Sequence, residues 1–161
     1  MGLRNRTLNI TPAAYFVTAS TTEHKQVFLH ENVKIAQDTL LEVFATKNIR
    51  LIAYVIMSSH IHFLAWLKGG GPELSSLMSS LKGLIRVRTV GSLNLWEHRF
   101  YDEQIRYETM LNQKVEYIHT NPVRAGLVVT PTDYPYSSAR VWAGIETDSR
   151  IWTDLGTISS D

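Results

Sequence analysis

Apolar and polar positions follow two rhythms along this chain. Residues 13–20 (AAYFVTAS) are rich in β-branched and aromatic side chains and predict a first strand. After the polar break 21–25, the apolar positions Val27, Phe28, Val33, Ile35, Leu40, Leu41, Val43 and Phe44 recur nearer to helical than to strand spacing, which predicts an amphipathic helix over 26–47. Residues 49–57 (IRLIAYVIM) and 60–67 (HIHFLAWL) predict two further strands joined at Ser58-Ser59. An antiparallel hairpin is the natural connection. Ser-Ser lacks the positive-φ residues that a two-residue turn prefers, which favours a wider loop. Both faces of 51–67 are largely apolar, as expected of central strands covered on one side by helices, with the histidines emerging near a strand end.

Three glycines and Pro72 then break the pattern. Leu74, Leu77, Met78, Leu81 and Ile85 follow i, i+3, i+4, i+7 spacing and predict a second helix, started by Pro72 and Glu73. Residues 91–95 read as a loop and 96–105 as a strand or strand-loop. Residues 107–120 read as a third helix, closed at Asn121-Pro122 because a residue before proline avoids the α region. Residues 131–138 are turn-rich and the tail is weakly patterned. The order strand-helix-strand-strand-helix-strand-helix predicts an α+β fold, an antiparallel sheet with packed helices.

Composition narrows the chemistry. The sequence has 161 residues, enough for one domain with a real core, and no cysteine. Thiolate metal sites and disulfides are therefore excluded, and a metal site must use imidazole, carboxylate or amide donors. No apolar run is long enough to span a bilayer, and the two N-terminal arginines have no apolar stretch behind them, so no membrane association and a cytoplasmic location are expected. Residues 1–67 hold six Lys/Arg against four Asp/Glu, 68–129 eight against six, and 130–161 two against five. The acidic tail and mildly basic body permit an anionic ligand without demanding one.

Two candidate groups stand out. His60 and His62 are two apart in a predicted strand, so they share a face, about 7 Å apart at ~3.3 Å per residue. Together they can converge on one divalent cation. On the third helix, Leu111, Val115 and Ile118 form the apolar stripe, while Lys114, Tyr117 and Asn121 line its edge. A phenol, with its ordinary pKa of ~10, becomes a useful nucleophile only when its electrophile is strongly polarised or a base is near. A cation held by two imidazoles and an amide oxygen would polarise a phosphodiester, and a phosphotyrosine product would conserve the energy of the broken bond. His24, His30, His98 and His119 lack comparable spacing and read as surface or supporting residues.

The string YVIMSSHIHFLAW (54–66) resembles the HUH motif of single-tyrosine transposases. LWEHRFYDEQIR (95–106), VEYIHTNPVRAGLV (115–128) and DYPYSSA (133–139) resemble the REP-associated tyrosine transposases, a branch named for repetitive extragenic palindromes. The resemblance covers roughly residues 10–142 with its motifs in family order. It implies a ferredoxin-like or RRM-like HUH transposase fold, His60 and His62 as metal ligands with Asn121 as the third, Tyr117 as nucleophile, and Mg²⁺ or Mn²⁺ as the metal. Where the family often has Pro-Asn or Pro-Glu before the histidines, this chain has Ser58-Ser59.

The implied reaction is cleavage and rejoining of single-stranded or hairpin DNA through a 5′-phosphotyrosine, by a monomer or homodimer. The implied catalytic domain is 1–129, with 130–161 an extension packed on it or trailing from it. Candidate DNA contacts are Arg4, Arg6, Lys82, Arg86, Arg99, Arg106, Lys114 and Arg124; Lys82 and Arg86 would form a ridge with Arg88 or else a solvated helix face. Two other readings stand beside this one: a non-catalytic hairpin nucleic-acid-binding protein on the same scaffold, and an unrelated metal-dependent hydrolase. The last needs a carboxylate or a third histidine near the pair.

Overall fold

A computed structural model describes residues 12–91 and 94–155. Arg4 and Arg6 lie outside the described residues. Four strands, β1 (Ala13–Ser20), β2 (Arg50–Ile56), β3 (His60–Leu67) and β4 (Tyr101–Ile105), form one sheet in the order β2-β3-β1-β4. Every neighbouring pair is antiparallel. The helices are α1 (Glu31–Thr46), α2 (Gly70–Thr89), α3 (Glu108–Arg124) and the short α4 (Ala139–Trp142). The β-α-β-β-α-β order with this strand arrangement is the ferredoxin-like, RRM-like architecture expected from the sequence.

Period-two alternation divides the sheet into two faces. Tyr15, Val17, Phe63 and Leu67 point to one face, where they pack with Leu40 and Phe44 of α1 and Leu74, Leu77 and Leu81 of α2. Phe16, Val55 and Leu64 point to the other, where they pack with Leu111, Val115 and Ile118 of α3. Helices therefore cover both faces, where the sequence pattern suggested one. The pattern records only that both faces are dry, and β2 is a terminal strand of the sheet order. It stays apolar because residues after α3 cover its outer edge. Ile56 N donates to Tyr136 O (2.8 Å), Ser138 N to Tyr54 O (3.0 Å) and Trp152 N to Leu51 O (2.8 Å).

Several boundaries differ from expectation: α2 begins at Gly70, ahead of Pro72, and only Tyr101–Ile105 of the stretch 96–105 is strand. Residues 26–30 are a loop, and α1 begins at Glu31. Phe28 is nevertheless buried, packed on Trp96 with ring centroids 5.6 Å apart, so a buried loop imitated a helical stripe. The β2–β3 turn is a two-residue turn after all: Met57 N donates to His60 O at 2.9 Å. The Ser58 carbonyl accepts from the amides of Val27 and Phe28, and the Ser59 carbonyl from that of Thr21, each at 2.9 Å. Finally, α3 runs through Pro122 to Arg124. Proline removes one amide donor, but this close to the helix end the loss is a single bond. A Schellman closure follows, with Leu127 N donating to Pro122 O (3.0 Å) and Gly126 at φ +75°.

Candidate active site

The alternation that sends Ile61 and Phe63 toward α1 and α2 sends His60 and His62 toward α3. Their rings meet edge to face with centroids 4.7 Å apart. The β1–β3 register sets Thr18 opposite His62, and Thr18 Oγ1 lies 2.7 Å from His62 Nδ1. That contact fixes the plane of the ring and leaves Nε2 as its second nitrogen. Phe16, two residues earlier on the same face, stacks on His62 at 5.5 Å. His62 is only 5% exposed. Burial, followed by the nearby His60, Lys114 and Arg124, pushes its pKa down to about 3, so it is neutral near pH 7 with a lone pair to offer. Burial also holds His60 below the ordinary histidine value, opposed by a hydrogen bond with the Asn121 side chain.

The edge of α3 supplies the rest. Tyr117 stands with its ring 5.4 Å from that of His62 and 5.8 Å from Phe16, both edge to face. It is 36% exposed. The Arg124 guanidinium lies 4.5 Å over the Tyr117 ring, and its Nη2 donates to Tyr117 O at 3.3 Å. Lys114 Nζ sits 4.5 Å over Phe16 and pairs with Glu103 Oε2 at 3.0 Å. The elements thus bring His60, His62, Tyr117, Asn121, Lys114 and Arg124 to one place.

The other candidate cations are placed differently. Lys82 and Arg86 ride on α2, which packs on the opposite face of the sheet. Lys82 donates to Glu97 O (3.1 Å), and burial lowers its pKa; Arg86 donates to Gly91 O (2.8 Å). Arg88 pairs with Glu42 on α1. Each of these three side chains thus has a local acceptor, and all three lie on the sheet face opposite the histidines. Arg99 and Arg106 are exposed on either side of β4. His24, His30 and His98 are exposed, as expected. His119 is not: it is 8% exposed, with Nε2 2.7 Å from Ser138 Oγ, and it ties α3 to the segment covering β2. Thr18 and Phe16 were missed. No sequence signal marks them, since only strand register puts them against His62.

The donor set suits a divalent cation. Among the described residues no group of three His, Asp or Glu side chains gathers, and the neutral side chain beside the two imidazoles is Asn121, hydrogen-bonded to His60. Three neutral donors leave the charge of a bound cation uncancelled, as a phosphodiester-polarising site needs.

Comparison with known proteins supports the resemblance. No family model matches the chain. A REP-associated tyrosine transposase of Escherichia coli (strain K12) is 26% identical over 129 residues, covering 80% of this chain and 78% of that protein. The chain is thus similar to a REP-associated tyrosine transposase over most of both lengths. A putative REP-associated tyrosine transposase of Haemophilus influenzae is 24% identical over 140 residues, with 77% and 78% of the two chains covered. Among solved structures, a REP-associated tyrosine transposase bound to a REP hairpin superposes with a TM-score of 0.75 at 23% identity, over 89% of this chain and 86% of its own. A putative transposase from Deinococcus radiodurans R1 gives a TM-score of 0.51 at 19% identity, over 70% and 95%. These two establish the shared fold. No helix among the described residues is long and apolar enough to cross a membrane.

Proposed function

We propose that this chain is a metal-dependent transposase that cleaves and rejoins single-stranded DNA beside a hairpin through a 5′-phosphotyrosine on Tyr117. The observation that carries the reading is the meeting of Tyr117, His60, His62 and Asn121, from two distant stretches of sequence, on one face of the sheet. A hairpin partner is carried over from the solved relative bound to a REP hairpin.

In this reading the Tyr117 oxygen attacks phosphorus and forms one P–O bond, while the P–O bond to the 3′ oxygen breaks. The phenolic proton leaves to solvent, and the 3′ oxygen takes up a proton to become a free 3′-OH. One phosphodiester is exchanged for another, so attack by a second 3′-OH reverses the step without an energy-rich cofactor. His60, His62 and Asn121 would hold Mg²⁺ or Mn²⁺, which when bound supplies a Lewis acid for a non-bridging oxygen. Thr18 and Phe16 hold the His62 ring. Phe16 and Arg124 hold the Tyr117 ring, keeping the nucleophile within one conformation. Arg124 and Lys114 add positive charge where the phosphate backbone must pass. The catalytic unit is 1–129, with 130–161 as its extension.

The test is a denaturing gel. Labelled hairpins from the flanks of the chain's own gene are mixed with wild type and Tyr117→Phe, with Mn²⁺ or EDTA. A metal-dependent covalent band in wild type alone is expected. A covalent band that survives in Tyr117→Phe would overturn the nucleophile, and a native shift with no band in either protein would favour a binding-only protein.

A further inference from the structure

At the end of the sheet away from the histidines, a cavity of about 180 Å³ opens between the start of β2, the end of β3 and the C-terminal segment. Its walls include Asn48, Arg50, Trp66, Lys68 and Trp152. Arg50 and Trp66 are paired neighbours on β2 and β3, and the Arg50 guanidinium lies 4.1 Å over the Trp152 ring. Lys68 is exposed at the rim. The one acid in the wall, Glu73, is turned to its own helix start, where its Oε2 accepts from Gly69 N at 2.7 Å.

The four tryptophans of the chain divide into two kinds. Trp96 Nε1 donates to Lys82 O and Trp142 Nε1 to Ile52 O, both within the fold. Trp66 and Trp152 instead line this cavity, and the buried Trp66 Nε1 has no acceptor among the described residues. Two indoles, a stacked guanidinium, an ammonium and a carboxamide are the groups that read one nucleotide of a single strand. The rings stack on the base, the cations meet the phosphate and the amide reaches a base edge. The volume is below that of sites for drug-sized ligands and suits one planar ring system.

Position ties the cavity to the reaction. Trp66 follows His62 by four residues on the same face of β3, a separation of about 13 Å. Leu64, between them, is buried beneath α3, so a single-stranded segment leaving the Tyr117 site passes around that helix to reach the cavity. We propose that this cavity is a subsite for one nucleotide of single-stranded DNA flanking the hairpin, with its base against Trp66 and Trp152 and its phosphate on Arg50 and Lys68. The proposal rests on the strand-transfer reading for its substrate, but its residues are separate from that site.

The probe is a DNA hairpin with oligothymidine flanks. An abasic position is moved along each flank, and a matching series carries 5-bromodeoxyuridine for photocrosslinking to the full chain. One position is expected to crosslink to Trp66 or Trp152, and making it abasic should weaken binding by about fivefold to a hundredfold. That abasic penalty should shrink in Trp152→Leu. Lys68→Glu, a surface change that cannot disturb packing, should weaken the intact probe and steepen nothing in its thermal unfolding. No position-dependent loss, or a full penalty in Trp152→Leu with unchanged binding by Lys68→Glu, would overturn the subsite. The Tyr117 adduct is scored on the same samples. An adduct with no abasic effect refutes the subsite and leaves strand transfer standing; an abasic effect with no adduct does the reverse; absence of any binding overturns both.

Discussion

His119 links α3 to the segment over β2, and its burial makes the link sensitive to acid. The imidazole contacts Ser138 Oγ at 2.7 Å, and burial lowers its pKa from 6.5 to about 4. The unfolded chain takes up this proton near pH 6.5, the folded chain only near 4. Between those values the unfolded state binds more protons, so stability falls as pH falls. It is highest above pH 6.5 and shows no further loss from this group well below 4. The full difference corresponds to about 3 kcal/mol, and between pH 7.5 and pH 5 to about 2 kcal/mol. The assay is urea unfolding at those two pH values for wild type and His119→Gln, with EDTA present. Glutamine keeps a neutral hydrogen-bonding amide but does not titrate, and His62 contributes alike to both proteins. Wild type should lose about 2 kcal/mol more than the variant on acidification. Equal losses in the two proteins would refute the reasoning.

Thr18→Val keeps the shape and strand preference of the side chain but removes the contact to His62. It should slow covalent-complex formation by about ten- to a hundredfold, with partial recovery at high Mn²⁺, measured by gel time courses. Removing divalent metal with EDTA should stop adduct formation while leaving hairpin binding in a native gel; an adduct formed in EDTA would exclude the metal. Tyr134→Phe deletes the hydroxyl that donates to Ile56 O at 2.5 Å. It should cost about 1 kcal/mol in urea unfolding, and no loss would show that this contact does not hold the segment on β2.

Much of the site was legible because it depends on local periodicity. The two-residue spacing of His60 and His62 fixed their common face once β3 formed. The 100° step of α3 put Lys114, Tyr117 and Asn121 on one flank whatever the helix packed against. Register and burial were less accessible. Thr18 faces His62 only because β1 and β3 pair in one of several possible alignments, and no residue of β1 announces which. The stretch 26–30 carried a helix-like pattern because Phe28 is buried from a loop. For Lys82 and Arg86, sequence does not reveal the backbone carbonyls of Glu97 and Gly91 within their reach. His119 looked peripheral because the chain that buries it lies nineteen residues away at Ser138. Pro122 was read as a stop by a rule about a preceding residue, which the last turn of a well-packed helix overrides.

The turn before the histidines is anchored through its main chain. Its position is set by main-chain amides at 21, 27 and 28 reaching the carbonyls of 58 and 59, and a carbonyl is the same whichever side chain follows it. The main-chain anchoring of this turn therefore does not depend on which side chain stands at 58 or 59. The instruction that places the histidines is thus carried largely by the chain that leads into α1, with the Ser59 hydroxyl 3.4 Å from His60 Nδ1 as the one side-chain contribution of the turn.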